Sequence, residues 1–123
     1  MRYLLIGLGA FLGANCRYVL SDWAAARFGA TFPYGTLIVN VTGSFLIGLF
    51  LTLVTERLAM DPAWRLLIAV GFLGGYTTFS SYVFEALALL RTGEYGLALL
   101  YTLGSVILGL AAVIAGTIVA RVM

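Results

Sequence analysis

Apolar residues in this chain run in four long blocks, each separated from the next by a short cluster of charged, glycine or proline positions. The blocks run from about Tyr3 to Val19, Tyr34 to Val54, Trp64 to Leu90 and Leu97 to Val119. About twenty residues at roughly 1.5 Å rise each cross a hydrocarbon core about 30 Å thick, so each block predicts a membrane-spanning helix. Asn15 and Arg17 are expected to close the first helix, with Arg17 snorkelling to the interface or finding a buried partner. Asp22, Trp23, Arg27 and Phe28 then read as an interfacial stretch, ended by a turn at Gly29 and Pro33. Glu56, Arg57, Asp61, Pro62 and Arg65 form a charged loop, and Thr92-Gly93-Glu94 a minimal turn. Arg2 before an apolar run also resembles a secretory signal peptide. The run outlasts a typical signal core, and Gly13-Ala14-Asn15 makes a poor cleavage site, so an uncleaved helix is expected.

The polar positions inside the blocks are patterned. Thr36, Asn40, Gly43, Ser44 and Gly48 recur at i, i+3, i+4 and share one helix face. That face reads equally well as a close helix contact with Asn40 as its hydrogen-bonding residue, or as the lining of an ion path, since an amide NH₂ suits an anion. In the fourth block Tyr101 and Ser105 lie one turn apart, above small residues at Gly109, Ala112 and Gly116. The third block holds Gly71 to Tyr82, G-F-L-G-G-Y-T-T-F-S-S-Y, near its midpoint. Three glycines and four hydroxyl residues make a poor helix interior. Within a bilayer, freed backbone groups are tolerated only where protein or a polar cavity receives them, so a helix broken at mid-membrane is expected there. The plainer alternative is a kink packed tightly on a neighbour. Glu85 is the only carboxylate deep in an apolar run and needs a partner or nearby water, which marks it as a vestibule or interface group.

Composition narrows the chemistry. Of 123 residues, 63% are hydrophobic and 10% charged, with a mean hydropathy of +1.08. A soluble domain of this size cannot hide that much apolar surface, so the whole chain, 1–123, reads as one all-α domain solvated by lipid. Histidine and lysine are absent and cysteine is single. These absences speak against a histidine base, a thiolate metal site, a disulfide and a Walker-type phosphate loop. A net charge of +2 without a basic run points away from nucleic acid. No enzyme chemistry is expected.

Charge placement bears on topology. Four spans put Arg2, Arg57, Arg65 and Arg121 on one side, against Arg17, Arg27 and Arg91 on the other. Four against three is almost no positive-inside bias, so insertion in both orientations is expected. Four helices are also too few to enclose a polar path alone. An antiparallel homodimer of inverted copies would set one mid-membrane break against the other, where carbonyls from both chains could enclose a cation.

Gly74-Gly75-Tyr76-Thr77-Thr78-Phe79-Ser80-Ser81-Tyr82 resembles the G-G-x-T-T-F-S-T-F motif of the CrcB (Fluc) family of small fluoride channels. Asn40 in the second block and Arg17-Tyr18 in the first match as well. The resemblance covers the whole chain. It implies a dual-topology homodimer with two fluoride pathways and one structural Na⁺ held at the dimer interface by the Gly74 and Thr77 carbonyls. It further implies that Phe79 and Tyr82 line the pathways, that Asn40 is a pore residue, and that Tyr101 and Ser105 form a polar track. This chain departs from the motif in carrying Tyr82 for phenylalanine and Ser81 for threonine.

The residues are chemically suited to that role. Fluoride is small and strongly hydrated, and Asn40, Thr36, Tyr101 and Ser105 offer donors to replace its water. The rings of Phe79 and Tyr82 present a positive edge, which holds an anion weakly. The expectation is therefore a passive fluoride channel of the inner membrane that exports cytoplasmic fluoride without nucleotide. A small dual-topology multidrug exporter is one alternative, but it wants a carboxylate central to the first helix, and Tyr3 to Val19 has none. A non-transporting membrane scaffold is another; it explains the glycine pairs but not the Thr-Thr-Phe-Ser break.

Overall fold

A computed structural model describes residues 1–123, and every regular element in it is helical. The helices are α1 (Arg2–Phe28), α2 (Tyr34–Arg57), α3 (residues 62–76), α4 (Ser80–Arg91) and α5 (Tyr95–Val122). Counting α3 and α4 as one interrupted span, the chain has four helices long and apolar enough to cross a membrane. Only 18 of 123 residues are buried, while Phe11, Val19, Leu103, Ile107, Leu110 and Ile114 point outward. This inverts the pattern of a soluble protein, and its solvent is lipid: the chain is a multi-pass membrane protein.

The helices are longer than the apolar blocks. α1 does not close at Asn15 and Arg17; it continues through the expected interfacial stretch to Phe28. No glycine or proline interrupts it after Gly13, and Ala24, Ala25 and Ala26 are strong helix formers. Asn15 donates back to the Phe11 carbonyl at 2.6 Å, so its amide sits within the helix instead of capping it. Gly29, at φ 85°, ends α1 and returns its N–H to Ala25. α2 ends in a wider π-helical turn over Leu53–Arg57 that carries Glu56 and Arg57, two residues of the expected loop. Asp61 caps α3 by accepting from the Ala63 N–H at 2.8 Å, with Pro62 at the first helical position. Gly93, at φ 79°, closes α4 as its N–H bonds Leu90 and that of Glu94 bonds Leu89.

The glycine-rich half of the third span is not broken. Arg65–Leu73 is π-helical and Gly74–Tyr76 returns to α-helix. Regular helix lapses only over residues 77–79, a narrower break than the twelve-residue motif predicts. Packing explains the difference. A Cβ on Gly75 would lie 2.6 Å from the Ala10 carbonyl oxygen and one on Gly71 2.8 Å from that of Ile6; one on Gly9 or Gly13 would collide with the Leu67 or Phe72 carbonyl. Glycine here lets α1 and α3 touch backbone to backbone, which outweighs its poor helix propensity.

α2 packs on α1 through Gly35 against Ser21 and on α5 through Gly48 and Gly116. α4 leans on α5 through Tyr82, Leu89, Ala98 and Tyr101. In the last turns of α2 and α5, Arg121 pairs with Glu56 at 2.8 Å, and Arg57 donates to the Arg121 carbonyl.

Candidate functional site

Two polar centres lie within this frame. The first is the break. Thr77 is extended (φ −81°, ψ 158°), and its N–H and Oγ1 both donate to the Leu73 carbonyl, at 3.0 and 2.9 Å. The Thr78 N–H, which an unbroken helix would direct to Gly74, donates to Asn40 Oδ1 at 2.8 Å. Asn40 Nδ2 donates in return to the Thr78 carbonyl at 2.9 Å. One amide thus satisfies both backbone groups of a single residue freed by the break, which is what an apolar medium demands. Thr78 Oγ1 accepts from the Ser81 N–H at 3.3 Å and so caps the start of α4. Arg17 does not snorkel outward: half-buried, it directs Nη1 to the Thr77 carbonyl at 3.4 Å. A cleft of about 460 Å³ opens here, lined by Asn40, Gly43, Ser44, Gly74, Thr77 and Phe79 among others. Phe79 stands at its edge with 76% of its surface exposed.

The second centre is Glu85. Thr36 Oγ1 donates to its Oε1 and the Tyr101 hydroxyl to its Oε2, each at 2.7 Å. No arginine pairs with it, so two hydroxyls, one from α2 and one from α5, stabilise the carboxylate. Tyr101 is 1% exposed and packs edge-on to Phe32 with centroids 5.5 Å apart. Tyr82 is buried, its ring 5.3 Å from Tyr101 and 5.8 Å from Phe79, and its hydroxyl donates to the Thr102 carbonyl at 2.8 Å. A row of rings, Phe79–Tyr82–Tyr101–Phe32, therefore joins the break to the carboxylate. Three further clefts of about 400, 230 and 450 Å³ all include Glu85 in their walls.

The residues singled out from sequence fall into these two groups. Asn40, Gly74, Thr77, Phe79 and Arg17 gather at the break, and Thr36, Tyr82, Glu85 and Tyr101 at the carboxylate. Ser105 belongs to neither: its Oγ is buried and has no hydrogen-bond partner. Three roles escape the sequence reading. Thr78 is the partner of Asn40, Thr102 offers the acceptor for Tyr82, and Phe32 closes the aromatic row. Thr78 lies within the motif, but a backbone acceptor such as Thr102 leaves no mark on its side chain. Tyr76, the variable motif position, turns away from the break, stacks on Phe72 and bonds Thr42 at 2.8 Å.

A family description, CrcB-like protein, Camphor Resistance (CrcB), matches residues 4–117. The chain is 55% identical over 123 residues to the fluoride-specific ion channel FluC of Roseiflexus sp. (strain RS-1), covering 100% of this chain and 99% of that one. It is 54% identical over 121 residues to the protein of the same name from Solibacter usitatus (strain Ellin6076), covering 98% and 99%. The protein of that name from Koribacter versatilis (strain Ellin345) is 52% identical over 118 residues, covering 95% and 94%. With four apolar spans, a bracketed helix break and this similarity over its full length, the chain belongs to the CrcB-like family.

Proposed function

We propose that this protein is a passive, fluoride-selective ion channel that exports cytoplasmic fluoride, acting as an antiparallel homodimer in the inner membrane. The observation that carries the reading is the break at residues 77–79, held open by Asn40 beside an exposed Phe79, in a chain more than half identical over its length to proteins named fluoride-specific channels. Hydrogen fluoride crosses lipid as a neutral acid and dissociates inside the cell. The inside-negative potential then drives the anion out, at about 2.3 kcal/mol per charge per 100 mV, so a pore needs no coupled energy source.

The chain's own groups supply weak, serial contacts of the kind conduction requires. Asn40 keeps one Nδ2–H beyond the bond to Thr78, and the Ser105 hydroxyl is uncommitted. Thr36 and Tyr101 hold their protons on Glu85, so an ion meets those donors only by displacing a carboxylate oxygen. The ring edges of Phe79 and Tyr82 offer positive potential without a fixed charge. Arg17 adds a cation at the break, one bond removed from the cleft.

The Gly74 and Thr77 carbonyls are proposed to hold a structural Na⁺ together with their counterparts in an inverted second copy. Uncharged hard oxygens suit an alkali cation. The Gly74 carbonyl lacks its usual helical donor because the Thr78 N–H goes to Asn40, and that of Thr77 keeps a second lone pair beside Arg17. The charge such an ion supplies would raise the local potential for an anion.

Efflux from liposomes holding the purified protein, fluoride against chloride and read with an ion-selective electrode, tests the function. Rapid fluoride release with negligible chloride release is expected. A folded protein that releases neither returns the break to a packing feature.

A further inference from the structure

Tyr82 stands where the family motif has phenylalanine, and its hydroxyl is the group that distinguishes this chain there. In a fluoride path an uncommitted phenol would be a strong donor, and a strong site slows an ion that must leave again. The hydroxyl is not uncommitted. It donates to the Thr102 carbonyl at 2.8 Å, in the interior of α5, while the ring is 8% exposed between Phe79 and Tyr101. The Thr102 side chain is turned elsewhere, to the Ala98 carbonyl at 2.7 Å. A backbone carbonyl has two lone pairs, so Thr102 can receive the phenol without giving up its helical bond.

This bond also lies where helix contact is sparse. α4 is the short arm after the break, and it meets α5 through Tyr82, Leu89, Ala98 and Tyr101 alone among buried residues. Tyr101 in turn directs its hydroxyl to Glu85 at 2.7 Å. Movement of the Tyr82 ring would therefore reach both Phe79, on one side, and the Tyr101–Glu85 bond, on the other.

We propose that Tyr82 is a positioning residue: its hydroxyl pins α4 to α5 at Thr102 and fixes the ring edge in the aromatic row, and it does not itself donate to the ion. The inference rests on the channel reading for its functional arm, while its structural arm stands without it.

The test compares Tyr82→Phe and Tyr82→Ile with the parent chain in liposomes, measuring fluoride efflux against fluoride concentration, together with thermal unfolding in detergent. Loss of one interhelical hydrogen bond should lower the maximal efflux of Tyr82→Phe about three- to fivefold. The half-saturating fluoride concentration should stay unchanged, and the melting temperature should fall by a few degrees. Tyr82→Ile, which also loses the ring, should be far slower, so that phenylalanine counts as a partial rescue. A rise in half-saturating concentration with Tyr82→Phe would make the hydroxyl an ion donor and overturn the proposal. Unchanged melting and unchanged efflux would overturn it too, by showing the hydroxyl idle. If the parent chain passes no fluoride, the channel reading fails, and the melting comparison still decides whether the pin exists.

Discussion

Between α1 and α3 the contact is backbone against backbone, with Gly9, Gly13, Gly71 and Gly75 bringing each helix's carbonyls onto the other's Cα atoms. α4 instead meets α2 and α5 through long side chains: Glu85 reaches Thr36 and Tyr101, and Tyr82 reaches Thr102. The first contact has no room for a methyl group and no chemistry to offer an ion. The second is bordered by clefts, and each of its bonds is one that a side chain can release. In lipid, where apolar surface gains nothing by hiding from its solvent, both devices are needed. Close packing makes the frame, and hydrogen bonds place the groups that act. The break lies where the two meet, with its backbone held by Asn40 and its aromatic left free.

The largest expected effect comes from putting a side chain into the glycine seam. Gly13→Leu drives a side chain into the Phe72 backbone and should leave no folded, monodisperse protein in size-exclusion chromatography, since overpacking by even a few methylenes costs about 1–3 kcal/mol. Recovery of a folded, active Gly13→Leu would mean that α1 and α3 can separate, and the contrast would collapse.

Next in size is Asn40→Asp. Aspartate cannot donate to the Thr78 carbonyl and sets a negative charge against it, so fluoride efflux should drop at least about tenfold, the factor for roughly 1.4 kcal/mol. The proposed homodimer should be retained. Phe79→Ile sharpens the same comparison, because an exposed ring contributes little to the fold. Efflux should fall by a similar factor with melting unchanged; wild-type efflux from either variant removes that residue from the path.

A smaller change is expected from Tyr101→Phe. It leaves Glu85 with one hydroxyl donor, and thermal unfolding should show a loss of about 1 kcal/mol together with several-fold slower efflux. If stability and efflux both hold, Thr36 alone suffices to keep the carboxylate. The smallest effect belongs to Arg121→Ala, because its pair with Glu56 is exposed and screened by water. Melting and efflux should match the parent chain, and a clear loss of either would make the α2–α5 end part of the frame.

Much of this could be read without coordinates. The four spans, the small-residue faces and the interruption of the third span all follow from apolar block length, from polar residues placed where lipid should be, and from the motif. The readings that changed share one cause. Asn15, Arg17 and the charged residues after them look like helix ends because charge and amide usually mark an interface. In α1 an i−4 bond absorbs Asn15, and a carbonyl 60 positions away absorbs Arg17. The motif's glycines look like a break because glycine is a weak helix former in isolation, yet the packing of α1 holds them helical as far as Tyr76. Glu85 reads as a vestibule or interface group in need of a partner, and that reading is not overturned; only the identity of its partners, hydroxyls 49 positions before it and 16 after it, is beyond any sequence rule.

The sequence by itself determined where the chain enters lipid and which stretch cannot stay a helix throughout. Partitioning depends on composition summed over one local segment, and a segment carries that sum with it. Tertiary structure alone decided that Asn40 would hold both backbone groups of Thr78, that Arg17 would turn inward, and that Glu85 would rest on two hydroxyls. Hydrogen bonds require the right distance and angle between groups on different helices. Axial position and rotation set that geometry, and close contacts such as the glycine seam fix both far along the chain from the groups they align.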